Sequence, residues 1–218
     1  STSVLGLLAL KIRLSAFDSR EFSSLVEQDQ VVKNPTARVF KMHRGALLRT
    51  VGISSILAVA IYLFAVYLPS YYTNVAGFSS TQSLSISCVF LFIVSMLVLV
   101  LGYLADKRLG SDTTFSIGAV GLIFTSYPIF WLLAQGNIVL AIIAQGVLMI
   151  FLAFIAASVL AIVLNMFTTQ VRYSGSCIGF NLSMTLFGST APIIALTLQK
   201  FFNNPIAPCL YLSAAGIL

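Results

Sequence analysis

The sequence predicts an all-α membrane protein, and three observations lead there. Of its 218 residues, 59% are hydrophobic and only 8% are charged, against roughly 25% charged residues in soluble domains. The apolar residues are gathered into runs long enough to cross a bilayer. The charges fall between the runs, so a folded surface built from this chain is matched to hydrocarbon rather than to water.

Five spans are expected, at about 50–68, 82–104, 114–133, 138–166 and 175–199. A helix needs about 20 apolar residues to cross the hydrocarbon core. Helices are required because an open sheet edge cannot be satisfied in lipid. Val4–Leu10 is read as the end of a further span, and residues 205–218 as the start of another. The start at Ser1 and the stop inside an apolar run are read as the ends of a piece of a longer protein.

The basic residues orient the spans. Lys11, Arg13, Arg20, Lys33, Arg38, Lys41, Arg44 and Arg49 precede the first full span, Lys107 and Arg108 follow the second, and Arg172 follows the fourth. The stretches 69–81 and 134–137 carry no charge, and Lys200 alone follows the fifth span. Basic loops lie in the cytoplasm, and the alternation stays in phase across all five spans. The net charge of +6 is therefore read as a topological signal and not as a nucleic-acid footprint. The basic cluster also suits anionic lipid at the inner leaflet, at about 1 kcal/mol per near-surface charge.

Between the second and third spans stands Leu101-Gly-Tyr-Leu-Ala-Asp-Lys-Arg-Leu-Gly110. Gly102 and Gly110 are expected at a helix end and a tight turn, where backbones approach closely or φ turns positive. One reading of Asp106, Lys107 and Arg108 is a charged cytoplasmic loop. The other is a conformational gate, in which Asp106 accepts hydrogen bonds from a basic side chain or a helix N-terminus when the cytoplasmic ends close together.

This motif, Gly-x-Leu-x-Asp-Lys/Arg-x-Gly, resembles the loop signature of the major facilitator superfamily. Further stretches resemble its metabolite:proton symporter branch, close to bacterial proline/betaine transporters. These are Tyr67-Leu-Pro-Ser-Tyr71, Val171-Arg172-Tyr173-Ser174, Phe180-Asn-Leu-Ser183 and the segment Leu5–Glu21. The resemblance implies the C-terminal six-helix bundle of a twelve-helix fold, incomplete at both ends. Residues 1–13 would be the end of helix six, 14–49 a cytoplasmic linker, and 50–218 helices seven to eleven with the start of twelve. Arg172, Tyr173 and Ser174 would form the loop motif entering helix eleven. Two departures stand out. Ser111-Asp112 replaces a basic pair, and the extra acid is expected to weaken a latch at Asp106. Phe167-Thr168-Thr169 replaces Phe-Pro-Thr and softens that loop.

The implied function is secondary active, proton-coupled symport of a small polar metabolite by alternating access. The resemblance favours a zwitterionic osmolyte such as proline or glycine betaine. The alternatives are a carrier of citrate or a dicarboxylate, or a non-transporting remnant. The implied partners are the substrate, a proton, the bilayer and a missing N-terminal half, with the bacterial inner membrane as the location. No Asp, Glu, Lys, Arg or His falls deep in a span, so a proton relay, which needs a titratable group at membrane depth, is expected in the other half.

Uncharged polar residues remain as substrate-cavity candidates: Tyr62, Tyr67, Gln145 and Asn181. Tyr62 and Tyr67, five apart, are expected on offset faces. An amide in lipid needs a partner, so Gln145 and Asn181 are expected to face the bundle interior, either lining a cavity or bridging helices. Tyrosine rings suit a quaternary ammonium. Trp131, Tyr71 and Tyr72 are expected in interfacial belts. Ala153, Ala157 and Ala161, and Gly175, Gly179 and Gly188, are expected at close helix contacts. Pro128 and Pro192 are expected to kink their spans. His43 is read as a solvated interfacial histidine, and Cys88, Cys177 and Cys209 as reduced packing residues. No motif calls for a cofactor or a metal, and the spans hold no paired acid–base or nucleophile–base arrangement, so an enzyme is not expected.

Overall fold

The computed structural model describes residues 6, 10, 11, 34–74 and 77–217. Most of the expected helix-six end and linker, residues 1–33, lies outside them. A short helix α1 (Pro35–Met42) starts on a proline, whose missing N–H costs nothing in the first turn. Five long helices follow: α2 (Arg44–Asn74), α3 (Ser80–Leu109), α4 (Ser111–Ala134), α5 (Ile138–Asn165) and α6 (Arg172–Phe201). All five are long and apolar enough to span a bilayer. The start of the expected sixth span forms α7 (Cys209–Ile217). No strand occurs among the described residues.

Each helix begins and ends for a local reason. The Ser79 hydroxyl accepts from the Gln82 N–H at 3.2 Å while the Gln82 side chain accepts from the Ser79 N–H at 3.0 Å, a reciprocal cap that starts α3. Asn137 Oδ1 accepts from the Val139 N–H at 2.8 Å to start α5. Gly110, at φ 77°, is the single residue between α3 and α4. The expected charged loop 105–113 is thus almost wholly helical. Asp106, Lys107 and Arg108 ride on a π-helical last turn, Ala105–Leu109, closed by the Gly110 N–H on the Ala105 carbonyl at 2.9 Å. Gly102 sits inside α3, and a Cβ there would meet nothing within 4 Å. It lies in the last α-helical turn before the π turn, the helix-end place expected of it, but the expected close backbone approach is corrected.

Two further π turns interrupt α2 at Leu63–Tyr67 and α6 at Met184–Gly188. Each is followed shortly by a proline, Pro69 and Pro192. A proline lacks the N–H for the carbonyl four residues back and crowds it, and a wider turn relieves both problems. Pro192 thus interrupts its span as expected, while Pro128 is carried within a continuous α4.

The bundle core is mainly apolar but encloses uncharged polar side chains, and its outer surface is apolar as well. Thr50, Ser54, Ser55, Ser87, Gln145, Ser158 and Ser183 are buried, whereas Leu84, Phe92, Leu99, Phe124, Ile143 and Ile193 are exposed. Hydroxyls in the helices reach back to their own carbonyls, as Ser158 Oγ does to the Phe154 carbonyl at 2.8 Å. Such an arrangement is stable in lipid, where apolar exteriors cost nothing and polar groups need partners. The chain is a multi-pass membrane protein.

Helix α2 lies at the centre, against α5, α6 and α7, while α4 and α5 pack along their length and α3 leans on α5. Small residues permit the closest contacts. A Cβ on Gly121 of α4 would fall 2.1 Å from the Phe151 ring of α5. One on Gly188 of α6 would fall 2.7 Å from the Tyr62 ring of α2. Gly179 meets Thr50 in the same way, but Gly175 packs on Phe167 of its own preceding loop rather than on another span. Ala153 is buried, and Ala157 and Ala161 are half-buried.

A candidate substrate cavity and gate

Helices α2 and α6 run in the same direction, so their first turns share one end of the bundle and their last turns the other. The starts of α2, α4 and α6 and the ends of α3 and α5 gather Arg44, Arg49, Lys107, Arg108 and Arg172 at the first end. Half-buried His43 lies there too, its ring 6.5 Å from that of Phe167. It helps line a cleft of about 460 Å³ together with Arg38 and the loop residues Thr168, Thr169 and Gln170.

At this basic end Asp106 is exposed and makes no ion pair among the described residues, so its carboxylate is accessible to a partner. Lys107 instead holds its ammonium 4.9 Å from the centre of the Tyr103 ring, a cation–π contact within the same helix. Asp112 sits in the first turn of α4, where the helix dipole favours an acid. Arg172, Tyr173 and Ser174 form the first turn of α6 rather than a loop. Arg172 is half-buried and Tyr173 is exposed.

The polar cavity candidates lie further along. Tyr62 and Tyr67 were expected on offset faces, yet both meet α6: Tyr62 lies against Gly188, and the Tyr67 hydroxyl donates to Gln199 Oε1 at 3.0 Å. The π turn between them widens the helical repeat, which brings residues five apart nearer to one face. Gln145 is fully buried, as expected, and its Oε1 accepts from the Tyr72 hydroxyl at 2.5 Å, tying α5 to α2. Its Nε2 is enclosed with no hydrogen-bond partner among the described residues.

Asn181 departs from expectation. It is exposed, and its Nδ2 donates to the Cys177 carbonyl one turn back at 2.8 Å. Its own helix supplies the partner that was thought to require the bundle interior. Tyr71 and Tyr72 also depart, being 2% and 0% exposed rather than in an outer belt. Tyr71 stacks at 5.7 Å on Tyr67, and Tyr72 at 5.6 Å on Phe78. Trp131 is half exposed. Cys88 and Cys177 are exposed and Cys209 is buried, all as free thiols.

Sequence reasoning missed Gln199, the partner of Tyr67, and Tyr72, the partner of Gln145. A signal was present: an amide in an apolar span demands a donor or acceptor on another helix, and tyrosine is the residue able to offer one while remaining lipid-compatible.

Among the described residues no group of His, Cys, Asp and Glu could hold a metal ion. The arrangement offers hydrogen bonds and aromatic faces between helices, with charge confined to the ends. Groups of this kind can hydrogen-bond a polar solute.

Comparison with known proteins agrees. Residues 2–192 match the profile of the Major Facilitator Superfamily. A putative proline/betaine transporter of Staphylococcus aureus (strain COL) is 34% identical over 158 residues, which is 72% of this chain and 34% of that protein. The ectoine/proline transporter ProP of Corynebacterium glutamicum is 27% identical over 220 residues, covering 95% of this chain and 43% of that protein. The glycine betaine/proline/ectoine/pipecolic acid transporter OusA of Dickeya dadantii is 27% identical over 235 residues, covering 98% and 44%. The chain thus spans from about a third to under half of the length of these relatives. No solved structure matches.

Proposed function

We propose, from the premise that this chain belongs to the major facilitator superfamily, that it serves in a secondary active transporter of a zwitterionic osmolyte such as proline or glycine betaine. The observation that carries this reading is the agreement of two independent features. The relatives are named for proline, betaine and ectoine, and the polar side chains buried within the mainly apolar bundle are, among the described residues, all uncharged. An uncharged, hydrogen-bonding and aromatic interior suits a solute whose own charges cancel. A citrate-like anion would call for a cation inside, and among the described residues the basic groups lie only at the helix ends.

In this mechanism the described bundle is one half of the carrier, joined through the tract 14–49 to a preceding half. It rocks as a unit around a midplane site. Tyr62, Tyr67, Gln145 and Asn181 are the candidate contacts, Asn181 by virtue of its exposed position and Gln145 through its unpaired Nε2. The basic end faces the cytoplasm of a bacterial inner membrane by the positive-inside rule. There Asp106, on the π turn before Gly110, acts as the latch. Its exposed carboxylate pairs with a cation or helix N-terminus that arrives only when the cytoplasmic ends close. Protons drive uptake through a carboxylate that this bundle does not supply, since Asp106 and Asp112 both stand at its surface.

The test is uptake of labelled glycine betaine, proline and citrate by cells expressing the intact gene product, with and without a proton uncoupler. Uncoupler-sensitive uptake of the zwitterions supports the proposal. Uptake of citrate alone assigns the carrier to organic acids, and uptake of none assigns the chain to a non-transporting remnant.

A further inference from the structure

At the end opposite the basic cluster, a cleft of about 280 Å³ opens between the last turns of α2 and α6. Tyr67, Ser70, Tyr71 and Asn74 of α2 and Gln199 and Lys200 of α6 line it. Pockets for drug-sized ligands run from about 300 to 1,000 Å³, so this one admits only a small solute.

Three features make it more than a surface dent. Lys200 is exposed and is the only charged residue in the helix ends and connections at this side, since residues 63–86, 128–145 and 193–217 contain no other Asp, Glu, Lys or Arg. It makes no ion pair among the described residues. Tyr71 is 2% exposed, and its hydroxyl is enclosed without a hydrogen-bond partner among those residues. A buried hydroxyl left unsatisfied is costly and is normally paired. Finally, the Tyr67–Gln199 hydrogen bond fixes the cleft's two walls to each other, so the groups are held in place before a ligand arrives.

We propose that this cleft is an entry subsite for the carboxylate-bearing substrate, resting on the osmolyte reading above, with Lys200 and the Tyr71 hydroxyl receiving the carboxylate. A lone ammonium beside low-dielectric helix ends attracts an anionic group over roughly a Debye length, about 8 Å at physiological salt. A charge-assisted hydrogen bond then holds it. Gln199 and Asn74 line the same cleft for the cationic end, Gln199 Oε1 keeping a second lone pair beyond the one used by Tyr67. The zwitterion is thereby concentrated and oriented at the outer face before it reaches the midplane.

The test uses the intact gene product carrying Asn74→Cys, with Cys88 and Cys177 replaced by alanine, labelled from outside by a membrane-impermeant maleimide. Glycine betaine and proline are expected to slow labelling about tenfold, the worth of one charge-assisted hydrogen bond, and choline, which lacks the carboxylate, is not. Lys200→Gln should abolish the protection and Lys200→Arg should retain it. In the protein without the Cys substitution, Lys200→Gln should raise the uptake KM about tenfold with kcat unchanged. Absence of protection while betaine uptake proceeds would overturn the subsite and leave the osmolyte reading standing. Equal protection by choline would overturn the carboxylate role. Protection by betaine without its uptake would uphold the subsite and remove the transport reading.

Discussion

The Tyr67 hydroxyl donates to Gln199 Oε1 at 3.0 Å and so ties the last turns of α2 and α6 across 132 residues of sequence. Tyr67 is buried, and Gln199 stands beside Lys200 on the wall of the same cleft. Interhelical hydrogen bonds in membrane proteins contribute about 0.6 kcal/mol on average and up to about 1.7. A double-mutant cycle of Tyr67→Phe and Gln199→Leu, followed by thermal unfolding in detergent, should return a coupling of about 1 kcal/mol. A coupling of zero would mean that the two ends are held by packing alone.

The Tyr72–Gln145 pair is fully buried, so the asymmetry of hydrogen-bond loss applies. Removing one partner strands the other at a cost of about 1–3 kcal/mol, while replacing both with apolar groups of similar shape can be nearly neutral. Tyr72→Phe alone should therefore destabilise the bundle more than Tyr72→Phe with Gln145→Leu. Melting temperatures of the three proteins in the same detergent decide it.

Gly121 has no room for a methyl group, because a Cβ there would sit 2.1 Å from the Phe151 ring. Gly121→Ala should cost about 1–3 kcal/mol by overpacking. Adding Phe151→Leu should recover a large part of the loss. A Gly121→Ala protein that melts with the wild type would show that α4 and α5 are less tightly apposed than described.

Asp106→Asn removes the charge of the proposed latch while keeping the side-chain shape. Turnover should fall several-fold while KM for the transported solute changes little, because a latch acts on the conformational equilibrium and not on the substrate. Initial-rate uptake separates the two. A large rise in KM at normal turnover would contradict the latch.

Asp106→Asn combined with Asp112→Asn leaves α2 to α7 without an acid. Uptake that remains should still collapse with a proton uncoupler, since the proposal puts the coupling carboxylate outside this bundle. Uptake that persists through uncoupling would place the proton site on one of these two residues.

The spans were legible in the sequence because hydrocarbon imposes a simple rule on composition, and their number and alternating ends follow from it. The lengths of four of the five were underestimated. Helix α2 runs from Arg44 to Asn74 rather than 50–68, because helices continue past the hydrocarbon into polar residues such as Arg44 and Ser70. The π turns were not legible, although Pro69 and Pro192 marked where they would fall, and they reset which faces Tyr62 and Tyr67 share. Of the site candidates, Gln145 was placed correctly inside the bundle by the cost of a bare amide in lipid. Asn181 was not, because the same cost can be met by a carbonyl one turn back. Tyr71 and Tyr72 look like belt residues by position, but partners on α5 and on α2 itself draw them into the core.

The most direct measurement is counterflow in proteoliposomes containing the intact gene product, preloaded with unlabelled glycine betaine and given labelled betaine outside. Transient accumulation of label inside, independent of any ion gradient and competed by proline but not by citrate, is the expected result for an alternating-access osmolyte carrier. Label that never exceeds equilibrium, or exchange of citrate in place of betaine, would contradict it.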